Sequence, residues 1–240
     1  MSINSNFSYL FFLNDSGVNS FLQNSPNKYY KVTNNDISPD SDCLPNIQNI
    51  ESLNQLERFI KTSDNCPLKN QAKHTVFSDG NPSSKIMLIG EAPGAEEDKL
   101  GKPFVGDAGN LLNKMLKAIK IEREKVYITN VVNYRPPNNR KPEQSEINRY
   151  SKYLKEHISI IDPKILILMG GTAMEAILGS NKRISKERGQ WKEVIIKQKN
   201  YKTIVTFHPA YLLRKPDQKK FSWEDLKTIR KEIDEQNIEI

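Results

Sequence analysis

The sequence has few cysteines. Cys43 and Cys66 are the only two in 240 residues, and they lie 23 positions apart without a CxxC pair. A disulfide framework or a four-cysteine metal site needs more cysteines at characteristic intervals, so this sequence encodes neither. Because cysteine-poor chains without a disulfide pattern are typical of reducing compartments, we predict that the protein is cytoplasmic.

Long hydrophobic runs are also missing. The apolar stretch YLFFL near the start is too short to span a bilayer, and no basic segment precedes it to form a signal peptide. We therefore expect no membrane partner. The chain also lacks both common phosphate-binding signatures, since its glycine-rich stretch is followed by no GK[ST] and contains no GxGxxG.

The charge is unevenly distributed. Residues 1–50 carry a net charge of −2 and contain 18 Asn or Ser residues, whereas the rest of the chain carries +9. We interpret residues 1–50 as a loosely ordered extension and residues 51–240 as the folded domain. The basic domain favours a polyanionic partner, although a solvated face is the more common reason for such an excess.

Four short apolar runs have the length and β-branched content of buried strands. Helical patterns follow each of them, at residues 109–120, 142–161, 172–178 and 222–235. Alternation of this kind predicts a three-layer α/β/α fold with a central four-stranded parallel sheet. The four runs are KIMLIG, KVYITNVV, KILILMGG and YKTIVTFH.

Ligands of parallel sheets bind beyond the carboxyl ends of the strands, where this sequence places several polar residues. Glu91 directly follows the first run, and its carboxylate could either hold a water molecule or cap a loop. Asn130 ends the second run and could either form a turn or read the edge of a pyrimidine ring. His208 ends the fourth run.

The loops beyond these strands allow two interpretations each. Phe104, between Pro103 and Gly106, is either a core residue or a platform for a flat ligand. Arg135 and Arg140 lie in a loop that contains no acidic residue, which is either a phosphate-facing surface or an ordinary solvated loop.

Several motifs together resemble the family 4 uracil-DNA glycosylases. These are GEAPGAEED, GKPFVGDAG, YITNVVNYRPPNNRKP and FHPAYLLR, in this order, with RGQW at 188–191. The resemblance covers about residues 56–226. It implies a monomeric DNA repair enzyme of the uracil-DNA glycosylase fold, which flips uracil out of DNA and hydrolyses the N-glycosidic bond, leaving an abasic site.

The same resemblance implies roles for individual residues. Glu91 and His208 would be catalytic, with Glu91 orienting water and His208 stabilising the departing base. Leu212 and Leu213 would fill the gap that the flipped nucleotide leaves. The residues expected to bind uracil are Ala92, Gly94, Glu97, Phe104 and Asn130, and those expected to bind DNA are Arg135, Arg140, Leu212, Leu213, Arg214 and Lys215.

The resemblance breaks down at one place. Members of this family usually hold a four-iron four-sulfur cluster through four cysteines, and the corresponding residues here are Ser63, Cys66, Tyr134 and Tyr150. Serine and tyrosine are poor substitutes for the thiolate ligands of iron. We therefore predict that no cluster binds and that the two tyrosines occupy its space.

Two other functions are compatible with the sequence. The chain could be a DNA-binding protein of the same fold that no longer cleaves, or a nucleotide-binding α/β module that uses its glycine-rich loop for phosphate. The second explains neither HPAYLLR nor the basic stretch after it. An active glycosylase explains more of the sequence than either alternative.

Overall fold

A computed structural model describes residues 50–63 and 66–239, all of which belong to one compact unit. The predicted extension at residues 1–50 lies outside the described residues except for Ile50. A six-stranded sheet with the order β1-β3-β2-β4-β6-β5 forms the centre of the domain. The strands are β1 (Ser78–Gly80), β2 (Ile86–Gly90), β3 (Tyr127–Asn130), β4 (Ile165–Met169), β5 (Trp191–Ile196) and β6 (Lys199–Thr206).

The helices alternate with the strands and cover both faces of the sheet. Their bounds are α1 (Leu53–Thr62), α2 (Ala95–Leu100), α3 (Asp107–Ala118), α4 (Gln144–Ile161), α5 (Gly171–Leu178), α6 (Ile184–Glu187), α7 (Pro209–Arg214) and α8 (Lys219–Glu235). Three of them, α2, α6 and α7, are short. No helix of the described ranges is both long and apolar enough to cross a bilayer.

The α/β class is confirmed, and the four predicted strands are the neighbouring parallel strands β3, β2, β4 and β6. The predicted strand count was too low, because the antiparallel strands β1 and β5 lie at the two edges. β1 has only three residues. β5 joins β6 through Lys197 and Gln198, which both have positive φ without the Asn-Gly pair that usually marks such a hairpin.

Alternation along the strands divides the core into two layers. Met87 and Ile89 of β2 face one layer, with α1, α4 and α5, whereas Ile86 and Leu88 face the other, with α3, α7 and α8. The same alternation in β4 separates its even-numbered leucines from its odd-numbered apolar residues. Because both faces are covered, the strands are apolar throughout, as expected for a parallel sheet.

Candidate active site

A pocket of about 280 Å³ opens at the carboxyl ends of the parallel strands. It contains most of the residues that the sequence singled out, although they come from four separate motifs. Arg135, Leu212, Leu213 and Lys215 do not line it. The predicted residues that do are Glu91, Ala92, Gly94, Glu97, Phe104, Asn130, Arg140, His208 and Arg214.

Glu91 is oriented by a neighbour that the sequence analysis did not single out. Thr172, buried in the first turn of α5, donates a hydrogen bond from Oγ1 to Glu91 Oε2 over 2.5 Å. Thr172 therefore orients the partly buried carboxylate of Glu91 at the pocket wall. The only sequence signal was that GGTAM follows a strand at the same edge of the sheet.

Phe104 and Asn130 are brought together by the absence of a side chain at Gly90. A Cβ atom there would lie 2.4 Å from Asn130 Oδ1 and 2.5 Å from Phe104 Cζ, closer than non-bonded atoms can approach. Glycine at the end of β2 thus lets the ring and the amide meet at the base of the pocket. Any larger residue would displace one of the two.

The loop of Phe104 is held in an uncommon backbone conformation. Phe104 has a φ of 53°, which bulky residues rarely adopt. Arg123 fixes the loop by donating from Nη1 to the carbonyl oxygen of Phe104 over 3.1 Å and from Nη2 to that of Pro103 over 2.7 Å. Asp79 in turn accepts a 2.9 Å hydrogen bond from Arg123 Nε. Neither Arg123 nor Asp79 was predicted from the sequence.

Glu97 joins the two loops that form one side of the pocket. Its Oε2 accepts a hydrogen bond from the backbone N–H of Gly94, and its Oε1 accepts from those of Val105 and Gly106, at 2.9–3.1 Å. The carboxylate is therefore fixed in place at the pocket wall. Its run of three acidic residues is also the first turn of α2, where negative charge is favourable.

His208 lies two residues after β6 and caps the N-terminus of α7. The backbone N–H of Ala210 donates to His208 Nδ1 over 3.1 Å, so the neutral ring carries its proton on Nε2. Burial and, to a smaller extent, the Arg214 charge together lower the pKa of His208 to about 4, against the opposing effect of Glu97. The imidazole, whose centroid lies 5.4 Å from that of Phe104, is thus a neutral Nε2–H donor near pH 7.

The two leucines after His208 lie in different environments, which corrects one expectation. Leu212 is only 1% exposed and packs into the core with α3 and α8, so it cannot enter DNA. Leu213 is 43% exposed at the end of α7. Arg214 and Lys215, directly after it, are also exposed. One helical position, about 100° of rotation, separates the buried leucine from the exposed one.

The loop of Arg135 and Arg140 has acidic neighbours in space, although it has none in sequence. Arg140 forms two hydrogen bonds with Glu146 of α4, at 2.7 and 2.8 Å. This pair lowers the pKa of Glu146, and Arg140 also lies 3.4 Å from Glu143. Arg135 Nε donates to Asn139 Oδ1 over 2.7 Å. The positive charge of Arg140 is therefore largely neutralised by protein.

Three of the four positions of the family's cluster ligands, Cys66, Tyr134 and Tyr150, lie together, but the residues do not fit a cluster. Cys66 Sγ lies 2.6 Å from Tyr150 Oη, and the ring of Tyr150 makes an edge contact with that of Tyr134 at 6.5 Å. Ser63 instead donates to the carbonyl oxygen of Phe59. Burial raises the pKa of Tyr150 well above its ordinary range, so this phenol stays neutral.

The polar atoms of these residues are satisfied by protein. Tyr134 accepts a hydrogen bond from Thr75 and donates one to the carbonyl oxygen of Ile60. Of these four residues only Cys66 offers a thiol, whereas a cluster needs four thiolate ligands. Within residues 50–63 and 66–239, no three His, Cys, Asp or Glu side chains are grouped to hold a metal ion.

Comparison with known proteins gives one consistent family. The model of the uracil DNA glycosylase superfamily matches residues 77–227. The chain is 42% identical over 189 residues to the type-4 uracil-DNA glycosylase of Sulfurisphaera tokodaii, covering 75% of this chain and 84% of that protein.

Two further relatives carry the same name. The type-4 uracil-DNA glycosylase of Thermotoga maritima is 41% identical, with 68% of this chain and 84% of the relative covered. That of Archaeoglobus fulgidus is 38% identical, with 75% and 92% covered. The residues that match the superfamily model include every residue that lines the pocket.

Proposed function

Because the chain belongs to the type-4 uracil-DNA glycosylases of the uracil-DNA glycosylase superfamily, we propose that it excises uracil from DNA by hydrolysing the N-glycosidic bond. The convergence of Glu91, Asn130 and a neutral His208 on one pocket carries this proposal. These three side chains supply a water-orienting carboxylate, a reader of the base edge and a donor to the leaving group.

The pocket selects a flipped pyrimidine by shape and by hydrogen bonding. The uracil ring stacks on Phe104, while the amide of Asn130 donates to one oxygen of the base and accepts from its N3–H. Glu97, fixed by three backbone N–H groups, cannot swing aside to admit a group on C5. Thymine, which differs from uracil by a C5 methyl group, is excluded for this reason.

Bond cleavage leaves negative charge on the base. The electron pair of the C1′–N1 bond goes to the uracil ring, and its charge is delocalised onto O2. His208 Nε2–H donates to this oxygen without first transferring its proton, because the ring is neutral at the start. A donor aimed at a developing oxyanion contributes about 3 kcal/mol to transition-state stabilisation.

The sugar develops the opposite charge. Glu91, held by Thr172, stabilises the oxocarbenium-like C1′ and orients a water molecule toward it. The water oxygen bonds to C1′, and the proton it loses offsets the charge of the departing uracil anion. The products are free uracil and an abasic site.

Leu213 and the cations after it face the duplex. The exposed leucine fills the gap left by the flipped nucleotide, and Arg214 and Lys215 neutralise neighbouring phosphates. Arg135 contributes to the same surface, whereas Arg140 contributes less because Glu146 neutralises it. The protein acts as a cytoplasmic monomer on uracil-containing DNA. It needs no iron–sulfur cluster, because the packed tyrosines supply the structural support that the cluster would give.

Alkali-induced scission of a labelled oligonucleotide with a single uracil tests the proposal. Wild type should cleave at uracil and leave a matched thymine oligonucleotide intact, whereas His208→Ala should cleave about a hundredfold more slowly. Binding without cleavage by wild type would instead indicate an inactive DNA-binding protein of the same fold. Iron and labile sulfide near stoichiometry in anaerobically purified protein would contradict the cluster-free mechanism.

A further inference from the structure

Residues 207–221, here called the wedge loop, contain both His208 and Leu213. The loop leaves the sheet at Phe207, passes through α7 and a short 3-10 turn, and enters α8. Its exposed tip can hold a leucine in a DNA duplex only if its two ends are fixed relative to each other. The described structure fixes them through Arg188, the first residue of RGQW.

Arg188 lies between the first and last residues of the wedge loop. Its guanidinium carbon is 5.3 Å from the ring centroid of Phe207 and 5.4 Å from that of Phe221. A guanidinium group is attracted to the face of an aromatic ring. Arg188 Nη2 also donates to the backbone carbonyl of Phe221, so both the side chain and the main chain of this residue are held.

Asp225 of α8 fixes the guanidinium in this position. Arg188 Nε donates to Asp225 Oδ2 over 3.1 Å, and Nη2 donates to Oδ1, which forms a two-point ion pair. Thr206, the last residue of β6, donates to the same carboxylate over 2.7 Å. Asp225 is only 1% exposed, so solvent does not screen this pair.

The residue after Arg188 is a glycine, which lets the Asp225 carboxylate approach the backbone closely. Gly189 has a φ of 72°, and a Cβ atom at this position would lie 2.5 Å from Asp225 Oδ1. The N–H of Gly189 donates to the carbonyl oxygen of Val205 in β6 over 2.9 Å. The RGQW segment is therefore anchored to the sheet, and through Arg188 it reaches the far end of the wedge loop.

We propose that Arg188, paired with Asp225, is a positioning residue that clamps the wedge loop so that Leu213 supports base flipping from duplex DNA. This inference rests on the proposed glycosylase function. His208 does not depend on the clamp to the same degree, because the sheet holds it independently. The N–H of Gly170 donates to the carbonyl oxygen of Thr206 over 2.9 Å, which ties the chain to β4 two residues before His208.

The clamp should therefore matter for duplex substrates and much less for single-stranded ones. In a duplex the target base must leave its stack, and the wedge offsets part of that cost. A uracil in a single strand needs no such help, so chemistry at His208 and Glu91 is sufficient. The ratio of the two cleavage rates reports on the wedge loop separately from the catalytic pocket.

The test is the double variant Arg188→Met with Asp225→Asn. Removing both partners avoids leaving a buried carboxylate unpaired, and methionine keeps the apolar stem between the two rings. The matched control is Arg230→Met with Asp234→Asn, which removes an ion pair from the same helix outside the wedge loop. Single-turnover rates are measured on uracil in a duplex and in the same strand alone, at a temperature at which circular dichroism shows every variant folded.

We expect the duplex rate of the clamp variant to fall at least about tenfold, the single-strand rate to change by less than about twofold, and the control to match wild type on both. Arg188→Lys should recover part of the duplex rate, because it keeps the charge but not the two-point contact. Fluorescence of 2-aminopurine next to the uracil should show reduced flipping in the clamp variant.

Equal losses on both substrates, or no loss on the duplex, would overturn the inference. A wild type that flips but does not cleave would contradict the proposed function alone, since the fluorescence signal would still compare the clamp variant with its control. A wild type that neither flips nor cleaves uracil would overturn both proposals.

Discussion

The base pocket and the tyrosine core, here the four cluster-ligand positions Ser63, Cys66, Tyr134 and Tyr150, are the two places where a type-4 uracil-DNA glycosylase is expected to have special residues. In the pocket every expected residue type is present, and its polar atoms face an open cavity. In the tyrosine core three of the four expected cysteines are replaced, and the polar atoms pair with one another or with the backbone.

This difference distinguishes residues that carry out the reaction from residues that only support the fold. A pocket that stabilises charge needs particular atoms at particular points, so a different residue cannot replace His208 or Glu91. A buried support needs only volume, packing and satisfied hydrogen bonds, which aromatic residues can supply as well as a cluster. We therefore expect changes in the tyrosine core to alter stability and changes in the pocket to alter rate.

The largest effect expected is from Tyr150→Ala. The side chain is almost fully buried, and its removal leaves a cavity between α4 and the loop below the pocket, which should cost about 3–5 kcal/mol of unfolding free energy. The single-turnover rate of the folded variant should be unchanged. Urea denaturation and a cleavage assay on the same preparation check both, with the exposed Trp223→Ala as a mild control. A slower cleavage rate of Tyr150→Ala with unchanged stability would contradict the expectation that the tyrosine core affects stability and the pocket affects rate.

The buried His157, which lies outside the pocket, sharpens the comparison through pH. The ring of His157 stacks on that of Phe77, and its Nε2 forms a 2.7 Å hydrogen bond with Tyr127 Oη. Burial lowers the pKa of His157 to about 3. In the unfolded chain, where a histidine has a pKa of about 6.5, His157 binds a proton as the pH falls from 7 to 5. In the folded chain it stays neutral over this range. Stability should therefore fall as the pH decreases, by about 2 kcal/mol from pH 7 to pH 5 for this residue.

His157→Gln isolates that contribution. The variant lacks the titrating group, so the difference in unfolding free energy between it and wild type should shrink between pH 7 and pH 5. Chemical denaturation at the two pH values measures this change. A difference that stays constant would show that His157 is not the source of the acid sensitivity.

Within the pocket, Thr172→Val should reduce rate without reducing binding. Valine has nearly the same shape but cannot donate to Glu91, and a hydrogen bond to a charged group is worth about 1.5–3 kcal/mol. We expect at least about a tenfold slower single-turnover rate at unchanged DNA affinity. Thr172→Ser keeps the hydroxyl and should retain most of the rate, and equal losses in both variants would indicate a packing defect instead.

The smallest effect expected is from Tyr150→Phe. It removes only the hydroxyl beside Cys66 Sγ, so it should cost about 1 kcal/mol of stability, far less than the alanine variant. Cleavage should not change. A urea titration that places the two variants at the same midpoint would mean that the thiol–phenol contact, and not the packing of the ring, supports this region.

The four parallel strands and the polar residues at their carboxyl ends were predictable because both depend on local pattern. Continuous apolar runs identify strands covered on both faces, and topology then places Glu91, Asn130 and His208 at one edge. The short strand β1 and the hairpin strand β5 were missed, because three residues carry little pattern and Lys197-Gln198 is not a typical hairpin turn. Membership of the family was likewise visible in the motifs alone.

Which neighbours meet across the chain was decided by the tertiary structure. Thr172 reaches Glu91, and Arg188 joins the two ends of the wedge loop, across sequence separations that no local pattern reports. The exposure of Leu213 beside a buried Leu212 and the neutralisation of Arg140 by Glu146 were settled in the same way. Residue types and their order determined the fold and the chemistry available, because they act through local periodicity. The packing of distant segments determined which side chains are buried, paired or free, because burial and charge depend on neighbours in space.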